Sequence, residues 1–491
     1  MQAGNCQQRR TDMRRCFRHS SAIRAGLVAL AAQALSKFRR TGYAVVASAI
    51  LPVVALPSSA AEAQQSLTVA LYPYVPRIGQ FQNAITTAWS QVQPNVRLKF
   101  INDESVWDGG YKRNPPAEAD VYVFDAMYFE QFRANNYLVA MARNEIQDAA
   151  DFLPYARKAV VANGKYYAIP QLGCANILFY DKNDTVVVNA TTLGQLQTAL
   201  NQCTFTSEIP PDRRGLMLDM AGGTTNATLY LDIAHSADGI YPLPQASQPN
   251  RDYLVNQKTM LNMSSFWNIT AQNSDPYVRG VWFSQGYGRA FMGFTETMSR
   301  MTPDALATIG FKVMPLSNTT TNRPLFYVDA VGVNTTTVER GTRDLAVQLA
   351  NVLTATDTVV ASFEAPGPNT NPQYLMSVRH SVFHQLGQRY PLYERMYHLA
   401  LSSNPVAFKL NADARAWVNS IAGTIRTEVR ANYACGCDQN APRPIMNSVD
   451  AQNVCPAVCN GHGGWSGQWT NQPPALRSAC GCAACPVQGP Q

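Results

Sequence analysis

The chain has 491 residues, with 40 Lys and Arg against 33 Asp and Glu, a formal net charge of +7. The first 63 residues carry nine of the basic side chains (Arg9, Arg10, Arg14, Arg15, Arg18, Arg24, Lys37, Arg39, Arg40) and two acids, Asp12 and Glu62. They therefore hold the whole +7, and the rest balances at 31 against 31. A neutral body gives no charge argument for nucleic acid or an anionic membrane as partner, and its length asks for two or three domains.

In chain order, the basic stretch leads into an apolar run from Tyr43 to Leu56 and then Ala61-Glu62-Ala63. That is the n-region, h-region and cleavage site of a secretory signal, so residues 1–63 read as a presequence and the protein as secreted. The run is short and broken by Pro52, which argues against a membrane span. Seven N-x-S/T triplets, starting at Asn183, Asn189, Asn226, Asn262, Asn268, Asn318 and Asn334, fit a secreted glycoprotein.

From Leu67 the pattern alternates. Leu67–Tyr72 predicts a strand, 80–93 an amphipathic helix, Val96–Ile101 a strand and Asp120–Asp125 a strand bracketed by acids. A helix over 150–162 and an Asn163-Gly164 turn complete a first α/β lobe. A second lobe follows Tyr180: helices over 192–200 and 225–235, a strand at 215–219, a segment at 278–287, and strands at 289–295 and 311–314. The strand 325–334 is expected to return to the first lobe, with helices at 343–355, 359–363 and between 375 and 401 around both. Alternating β and α elements predict an α/β fold with sheets covered by helices. The tail from about Tyr433 is rich in Gly, Cys, Pro and Trp and shows almost no helical periodicity.

The cysteines divide the same way. Only Cys174 and Cys203 lie in the central region, whereas Cys435, Cys437, Cys455, Cys459, Cys480, Cys482 and Cys485 crowd the tail. Cys435-Gly436-Cys437 and Cys480-Gly481-Cys482 are C-x-C pairs, not the C-x-x-C of zinc knuckles, which favours disulfides.

Cys174 sits in Tyr167-Ala168-Ile169-Pro170-Gln171-Leu172-Gly173-Cys174-Ala175-Asn176-Ile177-Leu178-Phe179-Tyr180, read as strand, tight crossing, strand. A Cys on a strand is more often an inert small hydrophobe. Its place at a bend, and a candidate base at Glu296 in the second lobe, point instead to a nucleophile whose partner meets it when the cleft closes. A solvated strand end is the blander reading of Glu296. Asp125 and Asp329 stand at strand ends, where open α/β sheets bind ligands, and suit a cationic or amino-bearing one. Asp125 could equally cap a helix. Tyr72, Tyr74, Tyr122, Phe124, Tyr180 and Phe294 offer stacking faces. His380 and His384 lack a third metal ligand and read as a surface pair. No P-loop, dinucleotide fingerprint or GxSxG elbow occurs, and neither a metal nor a cofactor is expected.

These residues resemble thiaminase I. The resemblance rests on Val69-Ala70-Leu71-Tyr72-Pro73-Tyr74-Val75-Pro76, Asp120-Val121-Tyr122-Val123-Phe124-Asp125, Ile169-Pro170-Gln171-x-x-Cys174-x-Asn176-x-Leu178-Phe179-Tyr180 and Gly293-x-x-Glu296-x-Met298. It implies a bilobal fold like the class II periplasmic binding proteins over 64–432, with lobes of about 64–175 plus 325–432 and 176–324. It implies Cys174 as nucleophile, Glu296 as its partner, Asp125 and Asp329 as cleft carboxylates and Tyr74 as an aromatic contact. Phe294 stands where the family has Tyr. The activity implied is replacement of the thiazole of thiamine by a second nucleophile (pyridine, aniline, a thiol or an amine). A non-catalytic binder of thiamine or a related pyrimidine is the alternative.

The tail, 433–491, resembles one repeat of an oligomannose-binding lectin through Asn447-Ser448-Val449-Asp450-Ala451-Gln452-Asn453-Val454-Cys455-Pro456 and Gly463-Gly464-Trp465-Ser466-Gly467-Gln468-Trp469-Thr470. That implies mannose-type glycans as partners and Gly467, Gln468 and Trp469 as sugar contacts. The competing reading is a disulfide cap with Trp465 and Trp469 as its miniature core.

Overall fold

The structure is a computed structural model that describes residues 65–200, 204–205, 215–219, 223–268, 277–430, 436–472 and 477–483. The presequence, Cys203, Cys435 and Cys485 lie outside the described residues.

Strand β1 (Ser66–Ala70) runs parallel to β2 (Arg97–Ile101) and to β3 (Val121–Asp125). The helix Ile78–Val92 crosses between β1 and β2, and its Phe81, Ile85 and Trp89, four apart, form the buried face. The helix expected over 150–162 covers only Pro154–Val160. Its last turn is taken by a hairpin of β4 (Val161–Ala162) and β5 (Lys165–Tyr166). Asn163 and Gly164 turn that hairpin at φ of 51° and 75°, the left-handed pair of a type I′ turn. Strand β6 (Ile169–Cys174) then ends the first lobe's opening run.

Two residues later the chain is in another sheet, at β7 (Ile177–Asp181). The second lobe adds β8 (Thr204–Phe205), β9 (Leu216–Asp219), β10 (Ser264–Asn268), β11 (Ala290–Gly293) and β12 (Ile309–Val313). Its main sheet has the order β10-β9-β11-β7-β12, with β7 antiparallel to both β11 and β12. Phe179 and Phe291 stack across β7 and β11 with ring centroids 4.6 Å apart. The helices Gly223–Asp238 and Arg251–Asn262 belong to this lobe.

Strand β13 (Leu325–Val333) returns to the first lobe, as expected of 325–334, and lies between β3 and β6, antiparallel to both. With β14 (Met376–Ser377) and β15 (Val406–Ala407) it completes a seven-stranded sheet ordered β14-β6-β13-β3-β1-β2, with β15 beside β13. The helices Arg343–Thr354, Thr356–Phe363, His380–Gly387 and Pro391–Ser402 cover it. The helix Ala414–Arg430 packs on the second lobe's Gly223–Asp238, although the sequence boundary groups it with the first lobe. His380 donates or accepts at Tyr397 Oη (2.7 Å), and no cluster of His, Cys, Asp or Glu able to hold a metal occurs among the described residues.

The tail departs from its expected lack of helix. The helix Ser448–Val458 starts at Asn447, whose side chain caps it by accepting from the Asp450 amide (3.0 Å). Pro456 and the cysteines hide its periodicity. Strands β16 (Gly436–Asn440), β17 (Trp465–Gln472) and β18 (Arg477–Cys482) join β8 of the second lobe in one sheet, ordered β17-β18-β16-β8. Disulfides Cys455–Cys480 and Cys459–Cys482 tie helix to strand.

Candidate functional site

The pleat of the first-lobe sheet gathers the polar residues. Tyr327 pairs with Cys174 across β13 and β6, while Asp329 pairs with Asp125 across β13 and β3. Residues two apart share a face, and so do cross-strand partners, so Cys174, Tyr327, Asp329 and Asp125 share one face. A bulge at Gln171 shifts the register between Asp329 and Ala330. Gln171 is held there by its amide donating to the Leu353 carbonyl (3.0 Å), and such bulges re-aim the neighbouring strand end. Gly173 is required just before the thiol: a Cβ there would stand 2.3 Å from the Tyr155 hydroxyl.

Glu296 arrives from the other lobe. The expected strand 289–295 stops at Gly293, and a 3-10 helix, Thr295–Arg300, takes over, with Glu296 in its first turn. Gly293 pairs with Ile177, the residue that opens β7 just beyond the Cys174 crossing. The side chain is not a solvated strand end: Glu296 is only 9% exposed. Phe294, which leads into this turn, is 37% exposed.

The electrostatics show that these groups are close. Burial pushes the Cys174 thiol well up, and Asp329, Glu296 and Asp125 push it further. Burial holds Glu296 up at about 7. Asp125 is raised to about 6 by burial, offset by the Met127 amide (2.9 Å) and the Tyr111 hydroxyl (2.8 Å) that donate to it. Asp329 rises well above the carboxylate range through burial, then Asp125, then Glu296. Two facing carboxyls share a proton, and the one with more hydrogen-bond donors keeps the charge. Here Asp125 has the donors and Asp329 takes the proton. Asp125 caps the short turn that begins at Ala126, as its capping reading expects, and shares the sheet face of Cys174 and Asp329.

The aromatic residues divide. Tyr122 and Phe124 are fully buried core, not stacking faces. Tyr72 and Tyr111 hydroxyls lie 3.0 Å apart and continue the chain of hydrogen bonds to Asp125. Tyr74 is 41% exposed, edge-on to both rings, and donates to Glu104 at 2.6 Å. Tyr180 lies under Lys312, whose Nζ is 5.2 Å from the ring centroid.

Sequence reasoning missed three residues. Tyr111 lies after Gly109-Gly110 in a segment with no periodicity. Tyr327 was within reach, two before Asp329 on the same strand. Asp232 is on the helix Gly223–Asp238, buried, accepts from the Asn176 amide (2.8 Å) and is raised by burial to about 7. It joins the crossing after Cys174 to the second lobe and lies close enough to Tyr327 to add to the rise that burial gives its phenol. Nothing in a helical repeat distinguishes it from a capping or surface Asp.

In the tail, Ile445, Ala451, Val454 and the four bridged cysteines form a small core of their own, with Trp465 and Trp469 packed against it. Trp465 pairs with Cys482 and Trp469 with Cys480, across a register shift within β17 at which Gly467 has φ of 85° and faces open space. The Gln468 side chain lies outside the described residues.

Residues 175–317 match the family model of the Thiaminase-1 domain, and residues 449–482 match that of the Mannan-binding protein. Thiaminase-1 of Paenibacillus thiaminolyticus is 34% identical over 387 residues, covering 76% of this chain and 92% of that protein. Clostridium botulinum thiaminase I in complex with thiamin superposes with a TM-score of 0.69 at 35% identity, over 74% of this chain and 99% of that chain. Thiaminase I from Bacillus thiaminolyticus gives 0.68 at 33% identity, with the same coverage of both chains. The maltose-bound MalE3 of T. maritima, at 14% identity and a TM-score of 0.54 over 75% of this chain and 98% of that chain, shares the bilobal binding-protein fold alone. With a third of its residues shared along nearly the whole length of that Paenibacillus relative, the chain belongs to the thiaminase I family.

Proposed function

We propose that this protein is a secreted thiamine pyridinylase that exchanges the thiazole of thiamine for another nucleophile through a Cys174-bound pyrimidine. One observation carries the reading: a half-buried thiol, Cys174, with the carboxyls of Asp329, Glu296 and Asp125 all close enough to oppose its ionisation. Such a site favours a cationic, amine-bearing ligand, and thiamine is a thiazolium joined by a methylene to an aminopyrimidine. A site built only to bind needs the carboxylates but not the thiol.

In the reaction, Glu296 accepts the Cys174 proton, and the sulfur bonds to C6 of the pyrimidine. The ring loses aromaticity, the methylene–nitrogen bond breaks, and the electron pair leaves with neutral thiazole. Glu296 releases the thiol proton to solvent, and the acceptor (pyridine, aniline, a thiol or an amine) then adds at the methylene, giving its proton to Glu296 when it carries one. The S–C6 bond breaks and the thiolate is restored. A carboxyl poised at about 7 can work in both directions near neutral pH. Asp125 and Asp329 hold the cation and the exocyclic amine, while Tyr74 and Phe294 border the ligand. The hydrophobic Phe294 leaves Glu296 without a neighbouring hydroxyl from that position.

The tail is proposed to retain the enzyme on mannose-type glycans through Gly467, Gln468 and Trp469. The presequence is proposed to direct secretion. Of the seven triplets, Asn226 and Asn334 are buried, whereas Asn183 and Asn318 are exposed and could be glycosylated in the folded protein.

The test is incubation of protein 64–491 with thiamine and aniline. Loss of thiamine with matching release of thiazole is expected. Tight thiamine binding without release would establish the binding-protein alternative instead.

A further inference from the structure

The 3-10 helix Thr295–Arg300, which carries Glu296, starts at Phe294 without a side-chain cap. Its buried Thr295 and Ser299 hydroxyls find no hydrogen-bond partner. Neighbours therefore set its position. Within the second lobe the helix Val278–Ser284 lies against it, so closely that a Cβ on Gly280 would stand 2.7 Å from the Thr297 carbonyl oxygen. From the first lobe comes Asn371. Its Nδ2 donates to the Met301 carbonyl at 2.8 Å and to the Ser299 carbonyl at 3.3 Å. Those carbonyls stand at the C-terminal end of the helix, where a helix leaves its acceptors unpaired.

Asn371 is itself held firmly. It lies in the loop between the helix Thr356–Phe363 and β14, and Pro372 after it restricts its backbone to extended conformations. Gln373 is fully buried, donating its backbone N–H to the Phe363 carbonyl (2.8 Å) and its side-chain amide to the Ser362 carbonyl (2.5 Å). Tyr374 has φ of 51°, a left-handed conformation that a bulky residue keeps only where its surroundings enforce it. Arg77 braces the loop from the other side. Its backbone N–H donates to Gln373 Oε1 (2.7 Å) and its Nη2 to the Asn371 carbonyl (3.0 Å). Arg77 follows Tyr74 by three residues, so one arm joins the segment of Tyr72 and Tyr74 to the helix of Glu296.

We propose that Asn371 is a positioning residue for the transfer reaction, an inference that rests on the thiaminase reading of Cys174 and Glu296. Cys174 is fixed in the first-lobe sheet by the pairing of β6 with β13, whereas Glu296 belongs to the second lobe. Their approach therefore depends on how the two lobes are held together. Ser299 and Met301 follow Glu296 by only three and five residues, so Asn371 ties the lobes beside the group that must be placed. Two carbonyls demand donors, which the amide of Asn supplies and a carboxylate of the same shape cannot. Misplacing a reacting group by about 1 Å can cost on the order of a hundredfold in rate. A side chain that never touches the substrate can thus govern turnover.

The experiment is a double-mutant cycle on protein 64–491 with Asn371→Ala and Glu296→Gln. It is read in kcat and KM for thiamine with aniline. It is read also in the rate at which iodoacetamide alkylates Cys174 at neutral pH without thiamine, followed on the peptide containing it. Asn371→Ala is expected to lower kcat by about ten- to a hundredfold with KM little changed, and to slow the alkylation. In the Glu296→Gln background it should change either rate by less than about twofold, because it acts through Glu296. Asn371→Asp keeps the shape without the donors, should lose as much, and serves where the alanine variant fails to fold. Unchanged kcat, losses that multiply with those of Glu296→Gln, or alkylation at the wild-type rate or above overturns the proposal. Should wild-type protein leave thiamine intact, the thiaminase reading falls. The alkylation rates of the Asn371 variants alone then decide whether this residue places Glu296.

Discussion

The cleft and the tail are stabilised by opposite means. The bilobal body buries a continuous core, from Leu67, Val69 and Val121 in the first lobe to Phe179 and Phe291 in the second. Apolar burial contributes about 25 cal/mol per Å², so a core of this extent can tolerate buried acids that oppose folding. Among its described residues the tail has a core of seven with Trp465 and Trp469 against it, and its bridges replace the missing burial. The lesson is that strain for function belongs where the core is large. Asp125, Asp329, Glu296 and Asp232 are raised by burial in the body. In the tail, by contrast, Asp450 is paired with Arg443 and lowered to about 2.

The largest effect expected in the cleft is from Cys174→Ser. Serine is too weak an acid to add to the pyrimidine, so turnover should fall below detection while thiamine is still bound in equilibrium dialysis. Glu296→Gln should lower kcat by about 10²–10⁴-fold, the usual range for a general acid–base group. Alkylation of Cys174 at neutral pH should slow with it. An unchanged alkylation rate would remove Glu296 as the thiol's base.

In the tail, truncation after residue 432 should abolish retention on a mannan column and leave thiamine cleavage intact. Equal retention of the truncated protein would make the tail a structural cap. Reducing agent should disrupt the tail first, because removing a native disulfide from so small a core costs about 2–5 kcal/mol. Near-ultraviolet circular dichroism of Trp465 and Trp469 would report the loss.

Smaller effects follow from the acids. Asn in place of Asp125 or Asp329 should weaken thiamine binding by about tenfold or more, since hydrogen bonds to charged groups contribute roughly 1.5–3 kcal/mol. Neutral thiazole should be affected less, and equal losses for both ligands would assign these acids to the fold. The raised carboxyls also set a pH dependence. Their protonated forms favour the folded state, so this stability is fully present below the ordinary carboxylate range, near pH 4. It is lost as pH rises through about 6 for Asp125 and about 7 for Glu296 and Asp232. Thermal melts between pH 4.5 and 8 should show this decline in the free protein and less of it in Asp232→Asn. Saturating thiamine should offset it at high pH, because the cation favours the ionised acids.

How legible each region was follows the same division. In the body, alternation at Val96, Leu98 and Phe100 and the apolar runs at 67–72, 120–125 and 325–334 pointed to the first-lobe strands. Strand ends then pointed to Asp125, because an open sheet presents its ligand groups there, whereas Asp329, expected at a strand end, lies in the middle of β13 and reaches the same place by pairing with Asp125. Asp232 was hidden because a helix gives a buried Asp the same sequence context as an exposed one, and Tyr111 because its Gly-Gly loop has no period. In the tail, Asn447 before the helix Ser448–Val458 was a readable cap, but Cys455, Pro456 and Cys459 obscured the apolar stripe. The β8–β16 pairing could not be read at all, since it joins Thr204 to Gly436 through register alone.

The central claim is that Cys174 carries the pyrimidine between the two half-reactions. Its most direct test is peptide mass mapping after protein 64–491 has been mixed with thiamine alone and quenched in acid. The account predicts that the peptide spanning Cys174 gains the mass of the aminopyrimidinylmethyl group as thiazole is released. Thiazole released with that peptide unmodified, or the added mass found on another residue, would contradict it.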